Sequence, residues 1–222
     1  MVEQITPQQF REAEGVEDWR VVGDGACTFF RAGSFADAAR FVLAMSELSD
    51  LEEHRPDVDV RHDGVTVRLI TVSDDYYGMS MRDVELARQI SAVAHELGLS
   101  ADASAVQSVL VIPGAPDISD VFPFWRAALG YEPRSDSPDE DLVDPRGRGP
   151  AFWFEQMEQP RAGGGGAIHI AIWVPYEHAE ARIAAALIAG GRMVRDDFAP
   201  AWWTLADAAG NEADIATTMG RD

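Results

Sequence analysis

The sequence predicts an α+β protein built as two packed units, and three observations carry that expectation. Strand and helix signals alternate along the first half. A small, polar stretch, Ser100-Ala101-Asp102-Ala103-Ser104, then breaks the apolar patterning directly after Gly98 and reads as a linker. The second half repeats itself: Leu142-Val143-Asp144-Pro145-Arg146-Gly147 and Leu205-Ala206-Asp207-Ala208-Ala209-Gly210 share an L-x-D-x-x-G frame. We therefore expect domains over residues 1–102 and 103–222.

Taken in order, Ala26 to Ala32 reads as a strand. Ser34 caps a helix, with Asp37 at capping-box spacing, and Phe35, Ala38, Ala39, Val42 and Met45 follow at helical spacing. His62-Asp63-Gly64 marks a turn, and the β-branched run Val65 to Val72 reads as a strand. Ser80 caps a second helix, with Asp83 at N3, an apolar stripe of Leu86, Ile90, Val93, Ala94 and Leu97, and Gly98 suited to end it. In the second half, Val106 to Ile112 and Ala167 to Val174 each open a β-α-β-β-β unit. Their helices run through Phe124-Trp125 to Gly130 and through Ile183 and Leu187 to Gly190-Gly191. Their closing strands are Ala151 to Met157 and Glu212 to Met219. The Gly163–Gly166 run between them reads as a flexible connector and does not open a helix after a strand, so it is no phosphate loop.

Composition narrows the function classes. The 222 residues carry 18 basic and 38 acidic groups, a net charge of -20. Such a surface repels phosphate backbones and argues against nucleic-acid binding. Every basic residue is Arg, which removes Schiff-base and Ser–Lys catalysis. A single cysteine, Cys27, allows no internal disulfide and no Cys-rich zinc site. No apolar run reaches the roughly 20 residues of a membrane span, and the polar, acidic opening has no signal-peptide core. The expectation is a cytoplasmic protein with no membrane partner.

The densest polar cluster is Glu52-Glu53-His54-Arg55-Pro56-Asp57, where Pro56 forces a turn. Acidic groups around a histidine favour its charged form and bring its titration toward neutrality, as acid–base work requires. A solvated loop of paired charges is the alternative reading of the cluster taken alone. Asp83 has two compatible readings, a helix-capping acid and a site residue. His95 and His178 read as surface residues on helices.

These residues resemble the pterin-4a-carbinolamine dehydratases over about residues 19–97. Trp19, the Phe35–Phe41 helix, His54-Arg55-Pro56-Asp57, Thr71-Val72 and Gly78-Met79-Ser80-Met81-Arg82-Asp83 match the family's motifs in order and spacing. The resemblance implies an antiparallel sheet with helices packed on one face. It also implies metal-free dehydration of a 4a-hydroxytetrahydropterin to the quinonoid dihydropterin, with a small-molecule pterin as substrate and self-association into a homo-oligomer. By that resemblance His54, Arg55, Asp57 and Asp83 form the catalytic set, and Pro56, His62 and Thr71 line the substrate. The family supplies three histidines. Here Arg55 stands at the second, Val72 at the third, and His62 at a position the family fills with an aromatic ring. A guanidinium stays protonated near pH 7 and cannot shuttle protons.

The second half resembles the vicinal oxygen chelate superfamily. Phe124-Trp125-Arg126-Ala127-Ala128-Leu129-Gly130-Tyr131, the paired β-α-β-β-β units and Asp207-Ala208-Ala209-Gly210-Asn211-Glu212 carry that likeness. It implies an open cup whose strands can hold a divalent metal. His169 and Glu212 fit two ligand positions, whereas the corresponding first strand offers Gln107 and Ser108 and the other closing strand Glu155, slightly out of frame. Weak or no metal binding is the expectation, with the cup walled instead by Trp202 or Trp203 and a hydrogen bond from His169. Three functions stay open: pterin dehydration, ligand binding without turnover, and metal-dependent chemistry in the second unit.

Overall fold

The computed structural model describes residues 3–49, 51, 54–157, 168–206 and 212–221. Glu52, Glu53, Gly163–Gly166 and Asp207–Asn211 lie outside the described residues, as do the side chains of Phe124, Ala127, Ala128 and Ile168. The chain divides into two compact units, residues 1–106 and 107–221.

The first unit runs β1 (Gln4–Ile5), α1 (Pro7–Glu12), β2 (Arg20–Val22), β3 (Gly25–Arg31), α2 (Phe35–Met45), β4 (Asp57–Val60), β5 (Gly64–Leu69), β6 (Thr71–Ser73), β7 (Tyr76–Ser80), α3 (Met81–Glu96) and β8 (Ser100–Ala101). One antiparallel sheet has the order β2-β3-β5-β4 with β8 on β3, and a smaller one has the order β1-β7-β6. The run Val65 to Val72 is therefore two strands. Ile70 separates β5 from β6, and the two belong to different sheets.

Helices α2 and α3 pack on the main sheet because their buried residues recur at helical spacing. Ala38, Phe41 and Met45 meet Val84, Leu86, Ala87, Ile90 and Ala94 over Ala26, Phe30, Val65, Val67 and Leu69. Phe30 and Phe41 meet edge-on, with centroids 5.2 Å apart. Trp19 joins this core and donates its indole N–H to Ser91 Oγ at 3.1 Å. Ser34 caps α2 through Asp37 N at 3.2 Å. Phe35, in the helix's first turn, is 69% exposed and does not belong to the buried stripe.

The second unit runs β9 (Ser108–Ala115), α4 (Phe122–Leu129), β10 (Glu132–Arg134), β11 (Ser137–Val143), β12 (Ala151–Trp153), β13 (Glu155–Gln156), β14 (Ile168–Trp173), α5 (Tyr176–Ile188), β15 (Arg192–Arg195), β16 (Trp202–Ala206) and β17 (Glu212–Ala216). Two β-α-β-β-β units thus follow each other, and their strands join in one open sheet of order β10-β11-β12-β9-β14-β17-β16-β15, with β13 beside β9. The first strands of the two units, β9 and β14, lie side by side antiparallel. Helix α4 packs over Val111, Leu142 and Phe152, and α5 over Ile172, Leu205 and Ile215. Val111 and Ile172 point to one face of the sheet, so both helices pack on that face.

Candidate active site

Three segments of the first unit converge on Asp83, the N3 residue of α3. Its Oδ2 accepts hydrogen bonds from Ser80 N at 2.7 Å, Thr71 Oγ1 at 2.8 Å and Ser80 Oγ at 3.2 Å. Its Oδ1 lies 2.7 Å from His54 Nε2. Asp83 is fully buried and the His54 side chain is 11% exposed. A carboxylate withdrawn from water is costly unless its lone pairs are filled, and these partners fill them. With Nε2 as the donor of this contact, the carboxylate accepts at both oxygens.

Local sequence explains the convergence. Ser80 ends β7 and begins α3, so the capping geometry brings the Asp83 carboxyl back onto it. β7 pairs with β1 on one side, Gln4 facing Ser80, and Met81 N donates to Glu3 O at 2.9 Å. On its other side β7 pairs with β6, with Thr71 facing Gly78, which sets the Thr71 hydroxyl against Asp83. His54 arrives from the turn that Pro56 closes before β4.

The structure brings together His54, Asp83 and Thr71, and places the other expected residues differently. Thr71 is 7% exposed with its hydroxyl committed to Asp83 and Ser80, so it supports the carboxylate and does not line a substrate surface. Asp57 faces Arg68 across β4 and β5, with Arg68 Nη1 at 3.3 Å from its carboxylate, and it is 64% exposed. The carboxylate that holds His54 is therefore Asp83 and not Asp57. Arg55 is exposed and Pro56 is half-buried. His62 does not join His54. A turn closed by Arg61 N donating to Gly64 O at 2.9 Å carries it to the far tip of the β4–β5 hairpin, where it is 93% exposed. Strand β4 alone separates the two histidines by about 13 Å of extended chain. Val72, at the position where a third histidine was expected, is exposed. Among the remaining histidines, His95 pairs with Asp18 at 2.9 Å, and His178 is half-buried rather than on the surface.

The second unit holds a similar arrangement that sequence reasoning missed. His169 Nε2 lies 3.3 Å from Asp214 Oδ2, and Thr204 Oγ1 donates to Asp214 Oδ1 at 2.6 Å. Glu212 opens β17 opposite Ala206. Asp214 shares a strand face with Glu212, and that period-two step was the available signal. Among the described residues, no three His, Cys, Asp or Glu side chains form a group that could hold a metal ion. Among the same residues, no helix is long and apolar enough to cross a membrane.

Comparison with known proteins separates the same two regions. The family model for pterin 4 alpha carbinolamine dehydratase matches residues 3–93, and that for a glyoxalase-like domain matches residues 109–216. A Nocardia farcinica protein carried under the dehydratase family's name is 34% identical over 93 residues, which cover 41% of this chain and 96% of the relative. A transcriptional coactivator/pterin dehydratase of known structure from Brucella melitensis shares 23% identity at a TM-score of 0.37, over 41% of this chain and 99% of its own. A glyoxalase/bleomycin resistance protein/dioxygenase superfamily member from Vibrio splendidus shares 15% at a TM-score of 0.32, over 50% and 99%. The chain is an α+β protein of two units. It belongs to the pterin-4-alpha-carbinolamine dehydratase family through its first unit, and its second unit is similar to the glyoxalase-like domain model over residues 109–216.

Proposed function

We propose that the first unit dehydrates a 4a-hydroxytetrahydropterin to the quinonoid dihydropterin, with His54 as the acid–base group and Asp83 as its positioning residue. The observation that carries this reading is the 2.7 Å contact between His54 Nε2 and a fully buried Asp83. The net chemistry needs no external proton. The C4a–O bond breaks and its electron pair leaves with the oxygen, which takes a proton from the His54 imidazolium and departs as water. The N5–H pair then becomes the N5=C4a bond, and neutral His54 accepts that proton and is recharged for the next turnover. One imidazole serves both transfers in turn through Nδ1, because Asp83 fixes Nε2–H. No metal or organic cofactor is required by this route. Arg55, exposed beside the site, is suited to meet the pterin carbonyl or the departing hydroxyl. Self-association into a homo-oligomer is part of the same proposal, and size-exclusion chromatography with light scattering measures it.

A second reading, pterin binding without turnover, draws on Arg55 and Val72, which carry no exchangeable proton near pH 7. A dehydratase assay on the wild type beside His54→Ala separates the two. Turnover that falls by ~10²–10⁴ in His54→Ala supports the dehydratase. Saturable pterin binding with no turnover in the wild type supports the binding protein. Restoring the family pattern with Arg55→His and Val72→His then raises turnover if proton transfer is what the chain lacks.

A further inference from the structure

Asp83 closes one side of His54. Asp83, Ser80 and Thr71 are all buried there, so a substrate reaches the histidine from the small edge that stays exposed. The residues that border this edge have no task in the dehydratase reading so far. The His54 turn runs through Arg55 and Pro56 straight into Asp57, which opens β4. Three residues of chain span no more than about 11 Å. From the other direction, Thr71 is bonded to Asp83 and is followed by Val72, which lies directly opposite Tyr77 on β7.

Arg68 joins these two segments. On β5 it lies opposite Asp57 of β4 and Cys27 of β3. It alternates with Val67 and Leu69, which enter the core, so it projects from the face of the sheet away from α2 and α3. Its Nη1 donates to Asp57 Oδ2 at 3.3 Å and its Nη2 to Tyr77 OH at 3.4 Å. Both contacts are longer than the roughly 2.7–3.2 Å of a well-made N–H···O bond. Among the described residues they engage two of the five N–H groups of the guanidinium. The Arg68 side chain is 29% exposed, and the Asp57 carboxylate is mostly in solvent with lone pairs to spare. An exposed pair of this kind adds little to stability. What it offers is an open acceptor beside an underused donor.

That array is the complement of one edge of a 2-amino-4-oxopyrimidine, which presents two N–H groups and a carbonyl oxygen in a row. We infer that Asp57 and Arg68 read this edge of the pterin and set the specificity of the site. The carboxylate accepts from the 2-amino group and from N3–H, and the guanidinium donates to the 4-oxo group. The inference rests on the pterin reading of the first unit. C4a is bonded to the carbonyl carbon, so anchoring this edge holds the reacting carbon one bond from the anchored group. Arg55 is then left to meet the departing hydroxyl. A neutral ligand edge also suits a pair whose charges offset, in a chain of net charge -20.

The test measures equilibrium binding to the full chain by titration calorimetry and ligand fluorescence. The probes are pterin and lumazine, in mildly acidic buffer where both are neutral. Lumazine carries a 2-oxo group in place of the 2-amino group and would turn an acceptor toward Asp57. The wild type should bind pterin roughly tenfold more tightly than lumazine, or better. Asp57→Asn exchanges one acceptor for an amide donor. It should weaken pterin roughly tenfold and hold lumazine at least as well as the wild type does, so the preference narrows or reverses. Arg68→Gln should weaken both ligands, since both carry the 4-oxo group. Asp57 is exposed on an edge strand, so its variant keeps the fold, and an unchanged unfolding midpoint checks this. Equal wild-type affinity for the two ligands overturns the inference. So does an unchanged preference in Asp57→Asn, or no saturation at millimolar pterin. Turnover is read separately. A wild type that prefers pterin without turning it over keeps the recognition pair and removes the dehydratase, whereas turnover without preference removes only the pair.

Discussion

Asp83 serves a helix with one oxygen and a histidine with the other. Oδ2 takes Ser80 N and the Thr71 hydroxyl, and Oδ1 takes His54. If Thr71 acts only through Asp83, Thr71→Val should cost about 1–3 kcal/mol of stability from an unfilled buried lone pair. It should also lower kcat while leaving KM unchanged. Denaturant unfolding and steady-state kinetics read the two, and a raised KM would instead return Thr71 to the substrate surface. The dual role of Asp83 was legible as two separate possibilities, because capping spacing and family motif fall on one residue. What the sequence did not carry was the choice between Asp57 and Asp83, since a neighbour in sequence need not point toward His54 once β4 turns it onto Arg68. Cys27 offers a pH prediction. Burial pushes its thiol up to about 11, with Arg68 opposing and Asp57 assisting. A thiol near its ordinary value in the unfolded chain ionises first, so the folded state holds the proton longer. The associated stability is full below about pH 9 and is lost as pH rises toward about 11. Subtracting the unfolding free energies of Cys27→Ala from those of the wild type across that window should expose a decline on the order of 2 kcal/mol.

Caps and turns were the most legible elements, and their reasons differ from place to place. Ser34 and Ser80 stand where capping spacing put them, because the signal is local and the hydrogen bond is short-range. Gly64 was read as a turn glycine, and it occupies the first position of β5 instead. Its backbone has no positive φ; what demands glycine is the neighbour, because a Cβ there would collide with the Phe29 ring and the Phe30 carbonyl oxygen. Gly64→Ala should therefore lower stability by about 1–3 kcal/mol by overpacking, a loss seen as an earlier midpoint in thermal or urea unfolding. The same substitution at Gly33, where an added methyl would meet only Asp37 Oδ2 at 3.6 Å, provides the comparison and should cost less. The break at Ile70 was illegible for a different reason. A run of β-branched residues advertises extended chain, and nothing local says that the strand changes partners midway.

At the scale of the molecule, the linker region behaves as part of the first unit. Asp102 N donates to Phe29 O at 2.8 Å, Ala101 lies opposite Phe30 on β3, and the unit's bounds run to Val106. A fragment of residues 1–106 should accordingly unfold at a higher temperature than one of residues 1–102, both measured by circular dichroism. Equal midpoints would place the unit's edge at Asp102. The polar composition of residues 100–104 suggested a linker because short side chains carry little burial signal, yet backbone pairing with β3 holds the segment. The doubled β-α-β-β-β pattern was legible because each copy repeats its strand, helix and glycine order. How the copies meet was not, since pairing between β9 and β14 is a long-range choice. That seam consists of six opposed residue pairs, from Ile168 facing Pro113 to Trp173 facing Ser108. Moving outward from it, each copy contributes its closing strand, then its middle strand, then its outermost one. The second copy is in effect a zipper half, whose teeth are the backbone amides and carbonyls of β14. Supplied as a separate polypeptide of residues 168–222, it should re-engage residues 1–157 and co-purify with them, making the domain a ready split reporter.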